Sequence, residues 1–286
     1  MLGRRGSLWL LASPPLVGLV VFFVVPLVLI GAFSFRGGSG VIRPTEPWTW
    51  TLDHYQAVLG TPSFLRQLGI SALVAAGVGA LATVLAYPVA YFLAFRAGRR
   101  AGLYLTLLLV PFAVSYLLRV LAWKLMLGPS GGINALLGAI GLTDEPVQLL
   151  LYSRAAVIIT LVYVWIPFAA LPIYAAMLRI ERAQLEAAAD LGAGPWHRFW
   201  RVTVPLSLPG AAAAFFMVVI PTVGEYVTPA LVGGPGGTMY GNIIQGYFTR
   251  SANWPVGAAL AMVMLVAILV IIAVIARGAS LRRVVA

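Results

Sequence analysis

Six stretches of this chain are nearly free of charge, and each is long enough to cross a bilayer as a helix. They cover 8–35, 67–95, 103–127, 155–178, 208–232 and 255–276. A helix rises about 1.5 Å per residue, so about 20 apolar residues cover the ~30 Å of hydrocarbon. Backbone groups in lipid must be satisfied within the segment, which selects helices. Alternation at period two is absent, which argues against a barrel. Composition agrees, because 61% of the 286 residues are hydrophobic and only 9% are charged. A soluble domain carries roughly 25% charged residues. The first run follows Arg4 and Arg5 as a signal peptide would, but it is too long and contains Pro14, Pro15 and Pro26. It is expected to be a span.

The formal net charge is +11, and the basic residues cluster at the ends of the runs. That distribution reads as topology rather than as a nucleic-acid surface. With six crossings both termini lie on one side. Twelve of the nineteen basic residues then share the side of the termini and five lie opposite, with Arg119 and Lys124 inside the third run. The excess places both termini in the cytoplasm. Segments 36–66, 128–154 and 233–254 are expected outside, and 96–101 and 179–207 inside. The chain has no cysteine, which removes disulfides, thiol catalysis and thiolate metal sites. Its histidines, His54 and His197, fall in loops, which leaves no serine–histidine pair at depth and no zinc ligand set.

The inner segment 179–207 carries the most information. Residues 182–191 are rich in helix formers, with Ala187, Ala188 and Ala189 in succession. Gly192 suits a left-handed cap, and Pro195 suits the first turn of a second helix. Trp196, Phe199 and Trp200 then share one side, with His197, Arg198 and Arg201 largely elsewhere. Pro205 and Pro209 are expected to end this short helix before the fifth span begins. Physically, such a helix–turn–helix is either an interfacial anchor or a docking surface for a protein partner.

Glu225 is the one acidic residue placed within a run, about 25 Å along the fifth span from Leu208 at 1.5 Å per residue. Ionisable groups at depth mark a pathway or a paired site. Glu225 is therefore a candidate for the lining of a cation path, with Tyr226, Tyr163, Trp165 and Trp123 as aromatic companions. The structural alternative is pairing of Glu225 with Arg119 or Lys124; those two cations can also snorkel to the interface. The run Gly233–Gly237 is not a phosphate cradle, since no strand precedes it and no lysine follows. It reads as a mobile external loop or a plain connection.

The pattern Glu186-Ala187-Ala188, three residues, Gly192, nine residues, Val202-x-Val204-Pro205 resembles the cytoplasmic loop signature of binding-protein-dependent ABC importer permeases. Valines stand where the family often has isoleucine and leucine. Further stretches, in common order, resemble the spermidine/putrescine-type branch. They are Pro14-Pro15 with Phe22-Phe23-Val-Val-Pro26, Tyr87-Pro-Val-Ala-Tyr91, Pro111-Phe112 through Arg119-Val-Leu-Ala-Trp123, Leu171-Pro172-Ile-Tyr174, Gly224-Glu-Tyr-Val-Thr-Pro229 and Asn253-Trp-Pro255.

The resemblance implies an all-α integral membrane protein: a bundle of about six transmembrane helices like that of an ABC type I importer permease, in one permease domain over 1–286. It implies a polyamine such as spermidine or putrescine as solute. It assigns Glu186 to a polar contact with an ATPase, Ala187 and Ala188 to close helix packing, and Gly192 to the turn. The implied partners are a cytoplasmic ABC ATPase dimer, a second permease subunit, a periplasmic or extracellular solute-binding protein and the lipid bilayer of the bacterial inner membrane. No cofactor is expected in this chain. It has no P-loop, so ATP and Mg belong to the partner ATPase. The rival reading is an ion- or proton-coupled secondary transporter of a small cationic solute, which leaves the inner loop without a role.

Overall fold

The structure, a computed structural model, describes residues 13–38, 47–143, 145–147 and 150–284, with no side chains described beyond residue 273. Arg4, Arg5, Arg43 and the start of the first run lie outside the described residues. Among the described residues the chain is helical, and its one extended pairing is an isolated bridge between Arg36 and Trp50. Five helices are long and apolar enough to cross a membrane. A bent pair of helices, Gly98–Ala113 and Tyr116–Ala139, makes a sixth when the two are counted as one broken span. The residues group into two compact units, Met1–Arg66 with Ile243–Ala286, and Gln67–Asn242.

In the first unit, α1 (Ser13–Ser34) packs on the last helix (Trp254–Val284), and Gly31 leaves room for the Met262 side chain. None of the apolar stretch of α1 is buried within the chain. Phe22 is 83% exposed, which only lipid or another apolar surface can cover without cost. The short α2 (Asp53–Gly60) lies at the C-terminal end of α1, where the Tyr55 and Ser34 hydroxyls lie 2.6 Å apart.

The second unit contains α3 (Pro62–Phe95), α4 (Gly98–Ala113), α5 (Tyr116–Leu127), α6 (Gly132–Ala139), α7 (Arg154–Met177), α8 (Arg182–Asp190) and α9 (Pro195–Val223). The boundary residues Pro62–Arg66 at the start of α3 belong to the first unit. α7 is central and apolar all round, with Val157, Leu161, Ala169 and Ile173 fully buried. Ser153 caps it by accepting a hydrogen bond from the Ala156 N–H at 3.1 Å. α9 lies along α7 at its small residues: a Cβ on Gly210 would sit 2.6 Å from the Pro172 carbonyl oxygen. Gly79 on α3 likewise admits Phe215 and Val219 of α9. Small residues let membrane helices approach closely, which is where their packing energy comes from.

Two spans differ from the expectation. The third run is not one helix over 103–127. It bends by 86° between α4 and the segment Tyr116–Ala139. Val110–Ala113 tightens into a 3₁₀ turn around Pro111, and Val114 and Ser115 are extended. Proline removes a helical donor and clashes with the preceding turn, so the helix stops there.

The fifth run begins earlier than 208 and is helical from Pro195, because the short inner helix does not end at Pro205 and Pro209. A π turn at Phe199–Thr203 joins the pieces. It widens the helix where the Pro205 ring would meet the carbonyl four residues back, so that ring is accommodated. At its other end the helix stops at Val223 rather than 232, and a second π turn follows at Pro229–Gly233.

The Gly233–Gly237 segment is a built turn rather than a slack loop. Gly234 has a φ of +57° against Tyr152, Gly233 and Gly237 pack on Val157, and Arg154 donates to the Gly236 carbonyl at 3.0 Å.

Candidate functional site

The inner loop forms as its residues dictate. Glu181 and Gln184 make a reciprocal capping box that starts α8. The helix closes with a Schellman pair: the Ala193 N–H donates to Ala188 O at 3.0 Å and the Gly192 N–H to Ala189 O at 2.8 Å. Gly192 sits at φ +84°, the left-handed conformation this motif requires. Leu185 points into the core, whereas Glu186 and Ala187 are exposed and Ala188 is half-buried.

Leu191, at the tip, is 89% exposed, and Trp196 is 73% exposed. Trp196, Phe199 and Trp200 do share a side: their ring centroids are 5.9, 5.8 and 5.2 Å apart in pairs. A shallow depression of about 450 Å³ lies on the opposite side, lined by Ala188, Gly192, His197, Arg198 and Arg201 among others. The loop therefore offers an apolar knob, a carboxylate and a basic hollow. A leucine so exposed gains from entering a partner's cleft.

Glu225 is not within a helix at a measured depth along the fifth span. It stands in a break, Gly224–Tyr226, between α9 and the next helical turn. Its Oε1 accepts hydrogen bonds from the Val227 and Thr228 N–H groups, at 2.8 and 3.1 Å. The carboxylate thus caps the donors that the new turn exposes. The break is held from behind as well. Asn242 Nδ2 donates to the Tyr226 carbonyl at 2.7 Å, and Gly241 lies so close that a Cβ there would be 2.7 Å from Glu225 O.

Pairing of Glu225 with Arg119 or Lys124 is replaced by other partners. The Arg119 guanidinium carbon lies 4.7 Å from the Phe112 ring centroid and 5.9 Å from that of Tyr116. Lys124 Nζ lies 5.7 Å from the Tyr152 ring. Both cations rest on aromatic faces, which attract them through the ring quadrupole.

The breaks in the third and fifth spans meet. The Tyr116 hydroxyl, one residue past the first break, lies 2.6 Å from the Thr228 hydroxyl, just past the second. Tyr116 also faces the Glu225 carboxylate. The structure thus gathers Phe112, Tyr116, Arg119, Glu225 and Thr228. Trp165 reaches this group through Phe168, whose ring is 5.5 Å away and in turn 4.1 Å from Phe112. Trp123 and Tyr163 form a separate pair at 5.3 Å, because residues two apart on α7 face opposite sides. Tyr226 is exposed beside the break.

Sequence reasoning misses Phe112, Tyr116 and Thr228; the signal available for them is Pro111 inside an apolar run. Arg119 Nε and Trp165 Nε1 are buried with no hydrogen-bond partner. Beyond the break, the Tyr240 N–H donates to Ser71 Oγ at 2.7 Å, and burial pushes the Tyr240 phenol up to about 12.

Comparison with known proteins supplies the setting for this geometry. Residues 7–286 match the family described as binding-protein-dependent transport system inner membrane component. The chain is 32% identical over 259 residues to the spermidine/putrescine transport system permease protein PotB of Haemophilus influenzae, covering 89% of this chain and 88% of that one. It is 34% identical over 249 residues to PotB of Escherichia coli, covering 86% and 88%. Its fold is similar to a chain of a bacterial ABC transporter involved in the import of the acidic polysaccharide alginate. The TM-score is 0.71 at 19% identity, covering 98% of this chain and 96% of that one. With the family match spanning residues 7–286 and relatives above 30% identity covered over most of their length, the chain belongs to the inner-membrane components of binding-protein-dependent transport systems and is a permease subunit of an ABC importer.

Proposed function

We propose that the chain forms part of the translocation path for a polyamine such as spermidine or putrescine, working with a second permease, a cytoplasmic ATPase dimer and a solute-binding protein. The observation that carries this reading is the continuity of α9. One helix joins Trp196, half of the exposed knob, to the break that holds Glu225. Force applied at Trp196 by ATPase closure therefore reaches the path along one helix, and force on Glu186–Leu191 enters that helix through the tight Gly192–Gly194 turn. Glu186, Ala187, Ala188 and Gly192 form the docking element in this reading. ATP and Mg act in the partner, and both termini lie in the cytoplasm on the strength of the basic residues.

The solute class is supported by the names of the relatives and by the chemistry at the break. Broken helices in transporters gather at substrate sites, where backbone polarity can be shared with a ligand. Phe112 and Tyr116 already hold a guanidinium on their faces, so they suit an ammonium. Glu225 uses Oε1 for its capping bonds, and its carboxylate, facing Tyr116, supplies the negative charge that a cation would meet. Trp165 stands behind this group, and in this reading Tyr226, Trp123 and Tyr163 serve as further aromatic contacts for the solute.

The test is reconstitution of the complete importer in liposomes with its binding protein. ATP-dependent uptake of labelled spermidine or putrescine is expected. Uptake that proceeds equally without the ATPase subunits would refute the coupling; uptake confined to uncharged or anionic solutes would refute the solute class.

A further inference from the structure

The Tyr87-Pro88-Val-Ala-Tyr91 stretch of α3 stands apart from both the docking element and the break, and it meets α9 at one end, away from the close approach at Gly79. The Tyr87 and Tyr91 rings meet Phe199 edge to face, at centroid distances of 5.8 and 5.6 Å. Phe199 is the first residue of the π turn. At the other end of that turn, the Tyr87 hydroxyl lies 2.6 Å from Ser207 Oγ, and Ser207 Oγ donates to the Thr203 carbonyl at 2.7 Å. Ser207 has one hydroxyl proton, and it goes to Thr203, so Tyr87 is the donor to Ser207. One tyrosine thus holds the irregular turn of α9 at both ends, through its ring at Phe199 and its hydroxyl at Ser207.

Two features make this joint suited to motion rather than to packing alone. Each helix departs from regular hydrogen bonding at the contact, α9 by its π turn and α3 by Pro88, whose ring displaces the carbonyl four residues back. The seam is also underfilled. A groove of about 440 Å³ runs along it between Thr83, Pro88, Trp200 and Val204, and Thr83 Oγ1 is buried there with no partner. A groove of similar size, about 440 Å³, also flanks α9 and α7 beside Ala176 and Pro209, but there Gly210 is pressed on the Pro172 backbone and ties the two helices together. Ser207 and Thr203 are 0% and 2% exposed, so the polar link lies in a dry place where an apolar pair would satisfy packing.

We propose that Tyr87 and Ser207 are positioning residues forming a latch that carries displacement of the inner loop into α3, so that breaking their bond separates ATP hydrolysis from solute movement. This rests on the ATPase-coupled reading above. When the loop is pushed, α9 and α7 shift as one tight pair. The π turn flexes, and the Tyr87 link obliges α3 to follow.

The experiment uses the complete importer in liposomes and measures labelled solute moved per ATP hydrolysed, beside the amount of assembled complex. Tyr87→Phe keeps the ring and removes the donor; Ser207→Ala removes the acceptor. Each is expected to lower solute per ATP by about five-fold, the scale of one lost hydrogen bond. ATP hydrolysis should continue. Both variants cut the Tyr87–Ser207 bond, and Ser207→Ala also loses the bond to Thr203, so the double variant is expected to do no more than Ser207→Ala alone. A reduced yield of complex with an unchanged ratio would make the bond merely structural and overturn the latch, as would additive effects in the double variant. If the wild-type complex itself shows no ATP-dependent uptake, the coupled reading fails instead, so the two failures are distinct.

Discussion

The two ends of the fifth span solve the same problem in opposite ways. Each must depart from an ideal helix, and each carries prolines nearby. At the inner end, Pro205 and Pro209 are absorbed: a π turn widens the helix, and the rod continues from Pro195 to Val223. At the outer end the rod stops, and Glu225 satisfies the donors exposed where the chain restarts. The difference lies in what replaces the missing backbone bonds. Inside, the helix borrows a wider turn from itself and a hydroxyl from Ser207. Outside, it uses a carboxylate that water, a neighbour or a cation can also reach. A continuous rod transmits force, whereas a capped break offers a site.

The sharpest way to break this contrast is at the tip that feeds the inner end. Gly192 sits at φ +84°, and a Cβ added there would have nothing within 4 Å, so a substitution meets backbone strain and no clash. A residue with a side chain pays roughly 1–2 kcal/mol in that conformation, and a β-branched one more. Gly192→Val is expected to reduce ATPase copurification by about ten-fold or more, with Gly192→Ala intermediate. Full retention of the ATPase by the valine variant would detach the turn from docking.

At the outer end, Glu225→Gln keeps the shape but weakens two charge-assisted bonds and removes the charge that the proposed path would present to a cation. Solute uptake is expected to fall by about ten-fold, the equivalent of ~1.4 kcal/mol, while the ATPase still copurifies. Equal loss of uptake and assembly would make the break structural.

The legibility of these two ends in sequence differs for a physical reason. The inner loop could be read residue by residue because its determinants are local. The capping box of Glu181 and Gln184, the glycine at 192 and the aromatic spacing of 196, 199 and 200 act within one or two turns. The spans could be read because burial in lipid needs only length and apolarity. That α7 is buried and α1 is not could not be read, since both lack a polar face. What could not be read depends on distant partners. Whether Pro205 breaks a helix is decided by the π turn and by Tyr87 on another helix, 120 residues away from Ser207. Whether Glu225 pairs with Arg119 is decided by Phe112 and Tyr116, which take the cation first. The bend after Pro111 was signalled by the proline, but Pro167 and Pro172 sit inside an unbroken α7. Proline alone therefore does not distinguish a kink from a stop.

That ambiguity gives the mildest and most discriminating test of the comparison. If the π turn holds the inner end together because of its lateral contacts at Phe199 and Ser207, then Pro205 is a passenger. Pro205→Ala restores an N–H, which can bond the Arg201 carbonyl, and it frees the unfolded chain slightly. These effects oppose each other, so the assembled complex should change in stability by less than about 1 kcal/mol, with uptake unchanged. Thermal unfolding of the purified complex measures the first and the liposome assay the second. If the proline instead imposes the π turn, its removal lets residues 199–203 relax to a regular helix. That rotates every residue before the turn relative to Val204–Val223, and it takes Phe199 out from between Tyr87 and Tyr91. Uptake would then collapse with little loss of stability, a signature that lateral anchoring cannot produce.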